Sequence, residues 1–244
     1  MDHKEHKTQN QLLLRMPERA RQLLSPHMEH VELPLRFRLE EAHEPIDFVY
    51  FLDDGVASVV AETEDGTAIE VGLIGREGLT GTSLLLEDAE SPFQCYMQMP
   101  GNGWRIAAPL LVAAVYQSPQ LRRLLSRYAR SAALQVAYTA LSNGKTQINE
   151  RLARWLLMID DRMSSSSFSL THEFLSVMLG VRRQGVTEAL HVLEGLGLID
   201  SKRSILTIKD RQSLILFAGS TYGPAELEYK RLTGMVLGQC GDLT

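Results

Sequence analysis

Arg182, Arg183, Gln184, Thr187 and Glu188 lie close together in the second half of this 244-residue chain. Their side chains match the hydrogen-bonding edges of DNA bases. Arginine can donate twice to guanine, glutamine can pair with adenine, threonine can touch a thymine methyl, and glutamate can accept from a cytosine amino group. That chemistry needs the residues on one exposed face of a short helix. Val186, Ala189, Leu190 and Leu193 recur at helical spacing and leave those polar residues on the opposite face.

The flanking sequence supplies the elements that would position this helix. Thr171 is placed to cap a preceding helix, because its side-chain oxygen can accept a free amide at a helix start. Phe174, Leu175, Met178 and Leu179 form that helix's apolar stripe. Gly180 provides the turn, since glycine takes a positive φ without steric cost. After Gly195-Leu196-Gly197, Asp200-Ser201-Lys202-Arg203-Ser204 separates two apolar runs, Leu198-Ile199 and Ile205–Ile208. The pattern is a hairpin with a basic tip, a wing whose Lys202 and Arg203 would touch phosphates. The competing interpretation is a surface helical hairpin with solvated arginines; the wing disfavours it.

The rest of the chain reads as α+β. Residues 10–25 suggest a short amphipathic helix broken near Pro17. Between 29 and 107, short apolar runs alternate with turn signals: Ile46–Leu52, Val56–Ala61, Thr67–Ile74, Phe93–Met99 and Trp104–Ala107. Asp65-Gly66 and Asn102-Gly103 are strong hairpin signals. This pattern predicts an N-terminal jelly-roll-like β-roll over residues 10–118. Residues 119–142 predict a long helix with Leu121, Leu125, Tyr128, Ala132, Gln135 and Thr139 spaced as a helix–helix seam. The same spacing would also fit a helix packed on its own barrel. Asn143-Gly144 is expected to break it. A third region, 145–234, holds a helix over Ile148–Met163, a serine connection at Ser164–Ser167, the helix-turn-helix and wing, and further helix from 210 interrupted near Gly219 and Gly223-Pro224.

Composition excludes several classes. The chain is 44% hydrophobic and 23% charged, as in ordinary globular proteins. No apolar run is long enough for a membrane span, and the polar N-terminus lacks a signal-peptide core, so a cytoplasmic location without membrane contact is expected. Cys95 and Cys240 are too far apart in sequence to form a metal-type pair and read as reduced thiols. There is no phosphate-cradling glycine loop, nucleophile elbow or metal-ligand spacing, so no enzyme and no metal site is expected. Net charge is −5, but residues 1–119 carry 9 basic against 19 acidic residues, whereas 120–163 carry 8 against 3. Local charge governs attraction to phosphate, because salt screens beyond about 10 Å.

A β-roll, a long helix and a winged helix-turn-helix, in that order, resemble the Crp–Fnr family of transcription regulators over about residues 10–210. The resemblance rests on Asp54-Gly55-Val56 with Asp65-Gly66, on Val71-Gly72-Leu73-Ile74-Gly75-Arg76-Glu77-Gly78, and on Asn149–Leu157. Its strongest part runs from Leu170-Thr171 through Leu179-Gly180 to Arg183, Val186 and Leu190, closing on Gly197-Leu198-Ile199. It implies a homodimer paired through Leu121, Leu125, Tyr128 and Ala132, bound to double-stranded DNA at a pseudo-palindromic site. Arg183, Gln184, Thr187 and Glu188 would read bases. Arg182 stands where the family often has a small capping residue, and Glu188 where it often has arginine, so the target sequence is this chain's own. If the protein activates transcription, RNA polymerase is a further partner, although no motif marks the surface. The alternative is an effector-sensing or protein-interaction module whose helix-turn-helix is only structural.

The resemblance also locates a candidate effector pocket at Glu77, Gly81, Thr82, Ser83 and Phe93. Cyclic-nucleotide-binding members use a Gly-Glu pair for ribose and an arginine for phosphate. This chain has Gly81-Thr82 at the first position, and Glu90-Ser91-Pro92-Phe93-Gln94, without arginine, at the second. A buried phosphate without a cationic partner is strongly disfavoured. Cyclic AMP is therefore not expected as effector, and no cofactor is assigned.

Overall fold

Asp65-Gly66 turns the chain as its sequence requires. Gly66 takes φ +81°, its N–H donates to Thr63 O at 2.8 Å, and Thr63 N–H donates to Thr67 O at 3.0 Å. The computed structural model describes residues 7–163, 165–202 and 205–238. It opens with α1 (Gln11–Arg15) and α2 (Glu18–Leu24), parted at Pro17. The buried Asn10 caps α1 through Leu12 and Leu13 N–H, both at 3.1 Å, and donates to Leu52 O and Gly78 O.

Strands β1 (Glu29–Leu33), β2 (Arg38–Glu40), β3 (Phe48–Glu62), β4 (Ala68–Ile74) and β5 (Gln94–Ala107) form a five-stranded sheet. Its order is β1-β5-β3-β4, with β2 also paired to β5. β1 and β2 run antiparallel to β5, in the register Glu29↔Arg105 and Arg38↔Tyr96. The helices α3 (Ala108–Gln117) and α4 (Pro119–Lys145) follow. Next come α5 (Ile148–Asp160), β6 (Ser167–Ser169), α6 (His172–Leu179), α7 (Arg183–Gly195), β7 (Ile199–Lys202) and β8 (Ile205–Ile208). The last elements are α8 (Arg211–Ala218) and α9 (Pro224–Thr233), separated at Gly219–Thr221 as the glycines suggest.

The chain divides into two compact units. Met1–Ala57 with Ile74–Ala129 makes one, and Ser58–Leu73 with Arg130–Thr244 makes the other. The tip of the β3–β4 hairpin thus belongs with the helix-turn-helix. In the first unit Leu33, Val49, Phe51, Leu52, Val56, Met97 and Leu111 are fully enclosed.

Four local expectations change. Ile46–Leu52 and Val56–Ala61 are not separate strands but one, β3, because Gly55 (φ +82°) absorbs the irregularity without ending it. Asn102-Gly103 is not a turn and lies inside β5. Here Gly101 and Gly103 serve close approach, since a Cβ would strike Asp54 O at one and Phe51 O at the other. Asn143-Gly144 does not break α4, which runs on to Lys145. At the next helix the stop comes earlier, at Asp160 rather than Met163.

The larger correction concerns the predicted seam of α4. Leu121 and Leu125 are fully buried and Tyr128 nearly so, inside the first unit, where Tyr128 packs over Gly78. Ala132 is half-buried. Gln135 accepts from Leu73 N–H at 2.6 Å and donates to Leu73 O at 3.3 Å, and Thr139 accepts from Arg154. Leu121, Leu125 and Tyr128 face inward, as expected of a helix packed on its own chain, while Ala132, Gln135 and Thr139 are only partly covered. Outward on α4 stand Ala133, Val136, Ala137, Ala140 and Leu141.

This burial sets the expected outcome for Leu125→Ala. Denaturant unfolding should show a loss of about 2–5 kcal/mol, while the subunit count by light scattering stays unchanged. Dissociation at unchanged stability would restore Leu125 to an interface.

Candidate nucleic-acid interface

The helix-turn-helix is built as its residues dictate. Thr171 Oγ1 accepts Phe174 N–H at 3.2 Å and caps α6. Phe174, Leu175, Met178 and Leu179 are buried beneath it. Gly180 takes φ +61°; its N–H donates to Val177 O at 3.3 Å and Val181 N–H to Ser176 O at 3.0 Å, closing the turn. A side chain at Gly180 would also press on Ile69 Cδ1, at 2.9 Å. Val186, Ala189, Leu190 and Leu193 bury the inner face of α7.

The outer face carries the residues singled out by sequence. Arg182, Arg183, Gln184 and Glu188 are exposed and Thr187 is half-buried. Arg182 occupies the N-cap of α7 and makes no side-chain cap bond. Arg183 Nη2 lies 3.5 Å from Glu173 Oε2, with both side chains mostly exposed. Gln184 Nε2 donates to Glu188 Oε1 at 3.0 Å. Thr187 Oγ1 donates to Arg183 O at 3.1 Å and lies 3.4 Å from His172 Nδ1. Glu188 thus orders Gln184, and Glu173 partners Arg183. Sequence reasoning missed Glu173 and His172. The signal available was their place in the first turn of α6, where an acid is favoured by the helix dipole.

The wing is a three-stranded sheet in the order β6-β8-β7. Ser167–Ser169, expected in part as connection, pairs with β8 as Ser167↔Thr207 to Ser169↔Ile205, and β7 pairs as Ile199↔Ile208 to Lys202↔Ile205. Lys202 is exposed at the end of β7, with Nζ 2.9 Å from Asp200 Oδ2. That bond holds the Lys202 ammonium above its usual range. Arg203 and Cys240 lie outside the described residues.

The candidate effector residues sit in the first unit. Glu77 is buried. Gly81 has φ +71° and opens the 3-10 turn Thr82–Leu86, with Thr82 and Ser83 half-buried. Phe93 is exposed, and its N–H donates to Ser91 Oγ at 3.2 Å. Gly81 N–H donates to Glu40 Oε1 at 2.6 Å. Burial pushes the Glu40 carboxyl up, against the Gly81 amide and the Ser91 side chain, which favour its charged form. Glu40 therefore bridges the two segments that would hold ribose and phosphate. Beside it, an open cleft of about 470 Å³ has Glu40, Glu44, Asp47 and the ion pair of Arg38 with Glu41 in its walls. Cys95 is buried, and burial pushes its thiol well up. Among the described residues no cluster of His, Cys, Asp and Glu is arranged to hold a metal, and no helix is long and apolar enough to cross a membrane.

Comparison with known proteins agrees with this geometry. Residues 150–217 match the family model of the Crp-like helix-turn-helix domain. No curated protein matches the chain in sequence. Among solved structures, a protein from Eubacterium rectale described as a crp/fnr-family regulator is similar at TM-score 0.68 and 15% identity, over 86% of this chain and 98% of that one. FixK2 from Bradyrhizobium japonicum is similar at TM-score 0.67 and 18% identity, over 77% and 95% of the two chains. The c-di-GMP responsive global regulator CLP of Xanthomonas campestris is similar at TM-score 0.61 and 18% identity, over 78% and 98%. Residues 150–217 thus hold a Crp-like helix-turn-helix domain, and the fold of the chain is similar to that of these solved structures.

Proposed function

We propose that the protein regulates transcription by binding a pseudo-palindromic DNA site as a homodimer, without cyclic AMP. The observation that carries the reading is the exposed start of α7. Arg182, Arg183 and Gln184 stand clear of their own fold, and Lys202 of the wing is exposed as well. Their partners, Glu173 and Glu188, are exposed, so exchanging them for bases costs little; exposed ion pairs contribute about 0–1 kcal/mol. Arg183, Gln184, Thr187 and Glu188 would read bases. Arg182, Lys202, Arg203 and Thr171 would contact phosphate, with Thr171 also capping α6.

Support for the dimer comes from the outward face of α4. Val136 and Leu141 are exposed apolar side chains, at 37% and 45%, and Ala133, Ala137 and Ala140 share that side at helical spacing. Small residues let two helices approach closely, and a partner helix would cover Val136. The seam therefore moves off Leu121, Leu125 and Tyr128, which their own unit already buries. Cyclic AMP independence is supported by Glu40. Glu40 already holds the Gly81 amide in the segment assigned to ribose and the Ser91 side chain in the segment assigned to phosphate, so a cyclic nucleotide would have to displace it from both.

Arg183→Ala should cost about 1–3 kcal/mol at one base position and relax preference there, as read by selection on random duplexes. A uniform loss across all sequences would make Arg183 a phosphate contact. If even the unaltered protein shows no salt-dependent preference for any duplex, the helix-turn-helix is only structural. Val136→Glu should convert a particle of twice 27.3 kDa into a monomer by light scattering, with DNA binding weakened in parallel. An intact dimer would place the seam elsewhere. Cyclic AMP should leave the melting temperature of the protein unchanged, and a clear rise would overturn the reading of the Glu40 contact.

A further inference from the structure

Arg154 on α5 is a guanidinium charge enclosed by its own fold, at 5% exposure. Its hydrogen bonds go to uncharged oxygens. Nε donates to Thr221 O at 3.0 Å and Nη1 to Thr139 Oγ1 at 3.3 Å. Nη2 is buried without a hydrogen-bond partner among the described residues. Arg151, on the same helix, repeats the pattern. Its Nη1 donates to Leu179 O at 3.1 Å, and its Nε is likewise buried without a partner. A buried cation left this way is strongly disfavoured unless something supplies the missing charge and acceptor.

Both guanidinium groups line one cavity of about 20 Å³, wholly inside the unit that carries the helix-turn-helix. It has room for a single water-sized guest. Glu70 on β4 is the other charged residue in its walls, and both its oxygens are engaged. Ser58 Oγ donates to Oε2 at 2.5 Å and Trp155 Nε1 donates to Oε1 at 2.7 Å. Among the described residues, the walls therefore carry two cations against one anion, and the unmet donors belong to the cations. We propose that this cavity binds one monatomic anion, chloride by size and charge, held between Arg151 and Arg154.

The chemistry of the walls selects that guest. A metal cation would face two guanidinium groups. A water can accept from an arginine but leaves the surplus charge in place. A halide accepts from both arginines and cancels that charge, and hydrogen bonds to an ion are about twice as strong as neutral ones. Burial holds both arginines below their usual range, in Arg154 against the pull of Glu226 and Glu70, as expected of charges short of a counter-ion. Phosphate and sulfate have several heavy atoms where there is room for one. The position gives binding a consequence. Gly72 on β4, Thr139 on α4 and Leu179 on α6 share the cavity with α5, so the ion would fasten the hairpin tip and three helices at one point. Chloride would strengthen this unit even as salt screens attraction to phosphate.

The test is urea unfolding of the full-length protein at fixed ionic strength, with chloride exchanged stepwise for gluconate. It needs no DNA site and stands apart from the proposed function. One site predicts that the folded-to-unfolded ratio rises about tenfold for each tenfold rise in chloride above the dissociation constant. The ³⁵Cl NMR line should broaden with folded protein, sharpen when urea unfolds it, and sharpen when bromide competes. Arg154→Met and Arg151→Met should each abolish the chloride dependence and the broadening. If Arg154→Met does not fold, Arg151→Met at its half-buried position gives the same reading. Stability indifferent to chloride, or no broadening by the unaltered protein, leaves the cavity to water and overturns the proposal. A chloride response undiminished in Arg151→Met overturns it as well, because the ion then binds elsewhere.

Discussion

Buried charge around α5 is the constraint on which the unit that carries the helix-turn-helix depends. Arg154, Asp160, Asp161 and Arg162 are all at most 5% exposed, and a buried ion without partners costs several kcal/mol. Arg162 donates to the nearby Met158 O, but Arg154, Asp160 and Asp161 draw partners from distant sequence. Arg211 reaches Asp160 at 3.1 Å and Asp161 at 2.7 Å. Tyr222 OH donates to Asp161 and accepts from Arg211, each at 2.9 Å. Burial raises the Asp161 carboxyl to about 7 even with Arg211 beside it. The set is satisfied in part by this arrangement, with Arg154 Nη2, Asp160 Oδ1 and Arg211 Nε buried without a hydrogen-bond partner. It fixes α8 and the segment before α9 against α5 more specifically than apolar contact would, because sliding by one turn would strand charges rather than exchange one methyl for another.

That rigidity matters because α7 is presented from this frame. Its apolar face is held by Val186, Ala189, Leu190 and Leu193, and its start is set by the Gly180 turn. Few strong bonds remain at the outer face. The Arg183–Glu173 pair is long and exposed, and Gln184–Glu188 is a single neutral-to-charged hydrogen bond. The helix is therefore fixed while its reading side chains are loosely held. In the proposed function a base edge would replace Glu173 as the partner of Arg183 without disturbing what positions the helix.

Local signals survived folding wherever one residue's own backbone decides the outcome. Gly180 and Gly66 take positive φ where a turn needs it, and Thr171 caps because its oxygen lies three residues from the amide it accepts. The stripes of α6 and α7 were legible because burial on one face leaves a period. Failures arose where one pattern serves two physical purposes. Glycine at 101 and 103 gives close strand approach as readily as a turn. The stripe through Leu121, Leu125 and Tyr128 says that a face is buried, not whether its own chain or a partner buries it. Glu70–Trp155 and Arg211–Asp161 had no local signature at all, since each joins residues far apart in sequence.

Glu40 extends the same logic to the first unit. The Gly81 amide is a donor that a bound anion could take, and this chain supplies the anion itself. A tethered carboxylate acts at an effective concentration of about millimolar or more, so a free phosphate begins at a disadvantage. Displacement would also leave Glu40 buried beside a second negative charge, with its stabilising amide lost. The acidic walls of the neighbouring cleft add to that repulsion. Under the proposed function, a scaffold closed this way would be poorly suited to an anionic signal. A neutral or cationic molecule, or a proton, faces no such barrier, and the buried carboxyls that a proton would neutralise are already part of both units.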